Sequence, residues 1–219
     1  MGLRSGLKDI VYRAYWRVLR ALAFRREVHG IHLLALVFGA ENESVYFDKV
    51  DGALNLIARV SPARLARLQC AFDRVFVLGN RSAVAWYHPE LRFCELSDWY
   101  VRHDNTTVVD VACSLIHEAT HGMLLDRGVP YAPDTRARVE RICTRAEIHF
   151  VASVSEPGAT TVRLQKRLSW PDSAWSEEAQ LRRELTEMRR LGVPGSVLSA
   201  IARRRGVRLE DGKESDWSG

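Results

Sequence analysis

The stretch TTVVDVACSLIHEATHGMLLD, residues 106–126, decides how this chain is read. Its apolar residues recur at helical spacing and Gly128 follows as a stop signal, so one helix is expected over 106–126. Residues four apart on a helix lie one above the other. His117 and His121 therefore offer two imidazoles to one metal ion. Glu118, turned away by one residue, borders that metal without having to bind it. A general base acting on a metal-bound water needs that position. Leu115, Ile116, Ala119 and Thr120 carry no charge, which suits a buried metal helix better than a pair of surface histidines.

A catalytic zinc takes three protein ligands and keeps one position open. Pro130 and Pro133 mark a loop, and a second helix is expected over 134–153 with Asp134 as its N-cap. Its apolar stripe is Val139, Ile142, Cys143, Ala146 and Phe150. Glu140 and Glu147, seven apart, share one edge of that stripe. A single glutamate on a helix is ordinarily solvated. A carboxylate at the edge of a buried face is a candidate third ligand, and Glu140 comes first, with Glu147 in reserve. Gly122 inside the metal helix leaves room for substrate or a neighbouring strand, or allows close packing. Cys113, one turn before His117, reads as a small core residue.

His117-Glu118-x-x-His121, followed after eighteen residues by Glu140, resembles the gluzincin zinc metallopeptidases. The resemblance spans roughly 75–150. It implies one zinc ion per chain held by His117, His121 and Glu140, with Glu118 as catalytic base. It also implies a peptide or protein substrate lying along an edge strand of the sheet before the metal helix. The fold it implies is α+β and zincin-like, a small antiparallel or mixed sheet packed on the metal helix and the ligand helix. Many gluzincins carry an acidic residue four positions after the ligand glutamate, where it supports a zinc histidine. Here that position is Thr144, which leaves Asp126, Asp134 and Glu147 as candidates for the supporting role. Tyr131, Arg138 and His149 are the candidate donors to the transition state.

Upstream, strands are expected over 32–38, 74–78, 83–87 and 92–96, the last two joined by the turn His88-Pro89-Glu90-Leu91 in an antiparallel meander. Gly79-Asn80 closes the second run. Helices are expected over 51–60 and 62–72, the second with Ser61 as N-cap. A helix over 7–26 carries an apolar stripe opposite Arg13, Arg17 and Arg20. It is expected either to pack on the domain or to lie on an anionic membrane surface. Ser155 to Gly158 breaks the chain, and helices over 176–191 and 196–205 follow, turned by Val193-Pro194-Gly195. Residues 210–219 are polar and expected to be loose. The organisation expected is an N-terminal amphipathic helix (1–30), a zincin-like core (31–155), a helical appendage (156–210) and a tail (211–219).

Apolar residues make up 47% of the 219, enough for a real core, and charges are mixed along the chain, which argues against disorder. The net charge of +5 is compatible with nucleic acid, anionic membrane or acidic partners and selects none. The apolar run over 31–40 is too short to span a bilayer. Cys70, Cys94, Cys113 and Cys143 form no C-x-x-C pair, and no leader pattern precedes them. They are expected to be reduced thiols of a cytoplasmic protein, peripheral to the membrane if residues 7–26 touch it. The alternatives to a peptidase are a zinc-bound module that cleaves nothing and a nucleic-acid binder using Arg203, Arg204 and Arg205. The short C-terminal pair hardly supplies the core that a helix-turn-helix needs.

Overall fold

The computed structural model describes residues 3–36, 43–79, 84–156, 158–190, 194–204 and 206–207. Residues 37 and 38 of the first expected strand, the turn residues Asn80 and Val193, the strand residue Ala83, Pro157, the basic residue Arg205 and the segment 210–219 lie outside these.

The elements run α1 (Leu3–Leu22), β1 (Phe24–Val28), β2 (Ile31–Ala35), α2 (Ser44–Val60), α3 (Pro62–Ala71), β3 (Arg74–Leu78), β4 (Ala85–His88), β5 (Phe93–Ser97), α4 (Asp98–Arg102), α5 (Val108–Asp126), α6 (Arg136–Val151), α7 (Thr160–Leu168), a 3-10 turn (Asp172–Trp175), α8 (Glu177–Arg190) and α9 (Gly195–Arg204). The class is α+β, helix-rich, around one mixed five-stranded sheet of order β1-β2-β3-β5-β4. β1 pairs β2 and β4 pairs β5 antiparallel, while β2–β3 and β3–β5 are parallel.

The expected antiparallel pairing of the strands on either side of the turn His88-Pro89-Glu90-Leu91 is present as β4 and β5, with Ala85 opposite Leu96 and His88 opposite Phe93. β5 slips between β3 and β4 because all five of its residues are buried, which only an inner strand can satisfy. β4, whose Trp86 is 54% exposed, takes the edge beside it. Alternation along the strands divides the two faces. Leu33, Val75, Val77, Cys94 and Leu96 face the main core, filled by Phe47, Leu54 and Ile57 of α2, Leu68 of α3 and Leu115 of α5. Leu34, Phe76, Leu78 and Phe93 face the other way and are covered by α1 through Trp16 and Leu19. The Trp16 ring meets Phe93 at 4.5 Å and Phe76 at 5.5 Å between centroids.

Several boundaries move. The first helix stops at Leu22 rather than continuing to residue 26, since Phe24, Arg25 and Arg26 are spent on β1. Its packed face is Trp16 and Leu19, while Ala14, Tyr15, Val18 and Leu22 of the expected stripe stand exposed. α2 begins at Ser44, well before residue 51. Asp134 is exposed and caps nothing; α6 starts at Arg136, because Thr135 Oγ1 turns back onto the Pro130 carbonyl at 2.6 Å. Ser61 precedes α3 but makes no side-chain cap bond. α7 escapes the sequence pattern, since only Thr160 and Leu164 of its nine residues are buried. Among the described residues, no helix is long and apolar enough to cross a membrane.

Candidate metal centre

α5 is fixed at both ends of the argument, in sequence and in space. Thr107 and Asp110 form a reciprocal capping box at its N-terminus. The second oxygen of Asp110 accepts from Thr160 Oγ1 at 2.7 Å and from the Arg163 guanidinium at 2.5 Å, which ties α7 to the start of the metal helix. Burial would raise the Asp110 pKa, but these hydrogen bonds and those from Thr107 hold it below the ordinary value. Further along, Gly122 lets α5 sit directly on β4 and α3. A Cβ there would meet the Tyr87 ring at 3.0 Å and Ala71 Cβ at 3.3 Å. Close packing against a strand is therefore the reason for this glycine. Gly122→Ala is expected to lower stability: overpacking typically costs about 1–3 kcal/mol, more than the roughly 1 kcal/mol that alanine gains in helix propensity. Urea denaturation checks this, and an unchanged or raised midpoint contradicts it.

The three expected ligands converge. The Nε2 atoms of His117 and His121 lie 3.1 Å apart. Glu140 Oε2 is 3.3 Å from His117 Nε2, and Glu140 Oε1 is 3.8 Å from His121 Nε2. Zinc–nitrogen and zinc–oxygen bonds of about 2.0–2.1 Å imply tetrahedral edges of roughly 3.3–3.4 Å, the tetrahedral ratio applied to those bonds. The donors thus already stand close to the spacing a zinc ion requires. Glu140 is buried at 6% exposure, so its charge has been taken out of water toward these imidazoles. Burial would raise its pKa, yet His117, His121 and Tyr131 hold it well below the usual carboxylate range.

Glu147 meets His117 on the ring nitrogen away from Glu140. His117 Nδ1–H donates to Glu147 Oε1 at 2.6 Å, which turns Nε2 toward His121 and Glu140. The Arg167 guanidinium of α7 pairs with the same oxygen, and Arg167 Nε donates to Thr144 Oγ1 at 3.2 Å. Glu147 lies seven residues after Glu140 on the same helix, and residue 144 between them is a threonine bonded to Arg167. The other two candidates stand elsewhere: Asp126 meets Arg92 at 3.5 Å, and Asp134 is exposed.

Glu118 is buried and hydrogen-bonded by a Tyr87 backbone group of the edge strand; burial pushes its pKa up to about 7. Of the three candidate donors only Tyr131 reaches the centre. Its hydroxyl donates to Glu140 Oε1 at 2.5 Å, and its ring meets that of His121 at 5.1 Å. Arg138 and His149 are exposed and do not line the cleft.

Three participants were not foreseen. Gln180 of α8 donates to the Tyr131 hydroxyl at 3.1 Å and to Glu140 Oε1 at 3.3 Å. Arg167 came from an unrecognised helix. Cys143, three residues after Glu140, brings its sulfur within 4.8 Å of the two histidine nitrogens, so His117, His121 and Cys143 form a group able to hold a metal ion. Burial first, then Glu140 and Glu118, push that thiol well above its ordinary pKa. The Glu140 carboxylate and the Cys143 thiol thus both lie beside the two imidazoles. The cleft around the centre has a volume of ≈ 930 Å³ and runs from β4 across α5 and α6 to α7 and α8. No known protein family, no curated protein and no solved structure matches this chain.

Proposed function

We propose that this chain is a zinc-dependent hydrolase of the gluzincin-like kind, a metallopeptidase on a zincin-like fold. The observation that carries the reading is the convergence of His117 Nε2, His121 Nε2 and the Glu140 carboxylate at near-tetrahedral spacing, with Glu147 on the far nitrogen of His117. His117, His121 and Glu140 would hold the ion. Bound there, zinc supplies Lewis acidity and lowers the pKa of a coordinated water toward roughly 7. Glu118, beside the centre and already lifted toward neutrality by burial, takes a proton from water at its carboxylate and passes it to the leaving nitrogen. β4 is an edge strand next to Glu118, so its open backbone groups suit an extended peptide. Tyr131 orients Glu140 and stands close enough to His121 to face a developing oxyanion.

A metal-bound module without activity is the second reading, favoured by Cys143 beneath the centre, where a fourth protein ligand would close the open position. Purified protein reconstituted with zinc and exposed to a proteome-derived peptide library, read by mass spectrometry for new termini, separates the two. New termini are expected. A chain that stays metal-free after reconstitution refutes both readings.

Zinc uptake is expected to be coupled to one proton. Burial would lower the pKa of His117, but Glu147 and Glu140 outweigh it and lift it to about 10; burial and the charge on His117 push His121 down to about 3. Between those values one proton sits on His117, and zinc has to displace it. Because the raised group stays protonated until about pH 10, competition weakens as pH rises. Apparent affinity should therefore climb about tenfold per unit from roughly pH 5 to 9. Calorimetry in buffers of different ionisation enthalpy should give about one proton released per zinc. A value near zero would contradict this.

A further inference from the structure

The cleft wall opposite the edge strand is built by α8, and its charge is not accounted for by the metal centre. Gln180, Arg183 and Glu184 all line the cleft, at the i, i+3, i+4 spacing of one helix face. Gln180 is bonded to Glu140 itself, which places Arg183, one turn on, within electrostatic reach of the same carboxylate.

The cations of the cleft sort cleanly. Arg163 is paired with Asp110, Arg167 is paired with Glu147, and Lys166 is exposed at the rim. Arg183 differs from all three. Its guanidinium lies over the Trp170 ring at 4.5 Å, and Nη1 donates to the Ala174 carbonyl at 2.5 Å. The stack and the single backbone bond fix its orientation. Among the described residues no ion pair joins it to a carboxylate, and the charge of Glu184 beside it on α8 acts on it. Burial lowers its pKa, the sign of a cation removed from water without full compensation. A planar guanidinium with free donors, stacked on an indole and facing a cleft, matches a carboxylate.

We propose that Arg183 reads a carboxylate on the substrate, so that this site takes peptides bearing a negative charge near the bond that is cut. This rests on the peptidase reading above. The carboxylate can come from the peptide's own C-terminus or from an Asp or Glu side chain, and the test distinguishes them.

The probes are fluorescently labelled peptides of one neutral sequence in three forms: free C-terminal acid, C-terminal amide, and amide with one internal Asp. Their binding to the full-length, zinc-reconstituted protein carrying Glu118→Gln is measured by fluorescence anisotropy. One or both charged forms should bind about 10–100-fold more tightly than the neutral amide, the range for one hydrogen-bonded charge. Preference for the free acid points to the C-terminus as the group read; preference for the Asp form points to a side chain. Arg183→Met should erase the difference and Arg183→Lys should retain part of it, each variant keeping a wild-type melting temperature and zinc content. If Arg183→Met unfolds, Arg183→Lys and Arg183→Gln carry the test. Equal binding of all three probes, or a preference that survives Arg183→Met, overturns the proposal. Cleavage of the peptide library by wild-type protein, scored separately and irrespective of charge, decides whether the peptidase reading stands.

Discussion

Glu118→Gln is expected to bind zinc as the wild type does and to lose peptide-bond hydrolysis by about 10²–10⁴-fold, the usual cost of a missing general base. The carboxylate is adjacent to both histidines in sequence yet turned off their line, and its own contact is with the backbone of Tyr87 rather than with the ligand nitrogens. Glutamine keeps its shape and removes only the proton acceptor. The side chain is 8% exposed, so the neutral amide also spares the helix a buried charge and should not unfold it. Zinc content by elemental analysis and new termini by mass spectrometry give the two readouts. Identical products from wild type and variant would mean that this base is not used.

The second large effect separates the two glutamates of α6. Glu140→Gln is expected to weaken zinc retention far more than Glu147→Gln, for which about 10–100-fold is typical of a group acting through a ligand histidine. Glu140 faces both Nε2 atoms, whereas Glu147 touches only the far nitrogen of His117. Glu147→Gln should nevertheless be felt, since it strips Arg167 of its partner and leaves a guanidinium beside the histidine. Chelator competition orders the two. The reverse order would make Glu147 the ligand.

What could be read from the sequence follows distance along the chain. His117, Glu118 and His121 lie within two turns of one helix, so helical geometry alone brings them together. Glu140 was reached through spacing and a buried helix edge. Glu147 reads from the sequence both as a reserve ligand and as a support, and its contact with His117 Nδ1 comes only from the packing of α5 on α6. Arg167, Gln180 and Arg183 stay invisible because they enter from charged helices far along the chain from the two histidines. No propensity says which face of such a helix will meet a carboxylate two elements away. The sheet order was missed for a related reason. β3, β4 and β5 each read correctly as strand segments, but the choice of the central strand depends on burial from both faces, which alternation within one strand does not reveal. Cys143 was legible as part of an apolar stripe and not as a neighbour of the metal position.

The α8–α9 pair has a small core of its own, Leu181, Leu185, Met188, Leu198 and Ala202, distinct from the main one. Among the described residues its links to the rest include Arg136 to Glu177 at 3.9 Å, Arg183 to the Ala174 carbonyl and over the Trp170 ring, and Gln180 to Tyr131 and Glu140. Units held this way open independently of the global transition. Amide protons of α8 and α9 should therefore exchange with deuterium well before those of α5 and α6. Since Gln180 closes on Glu140, filling the metal position should slow that exchange at a distance from any ligand atom. Equal protection of both regions, with and without zinc, would show instead that the molecule opens only as a whole.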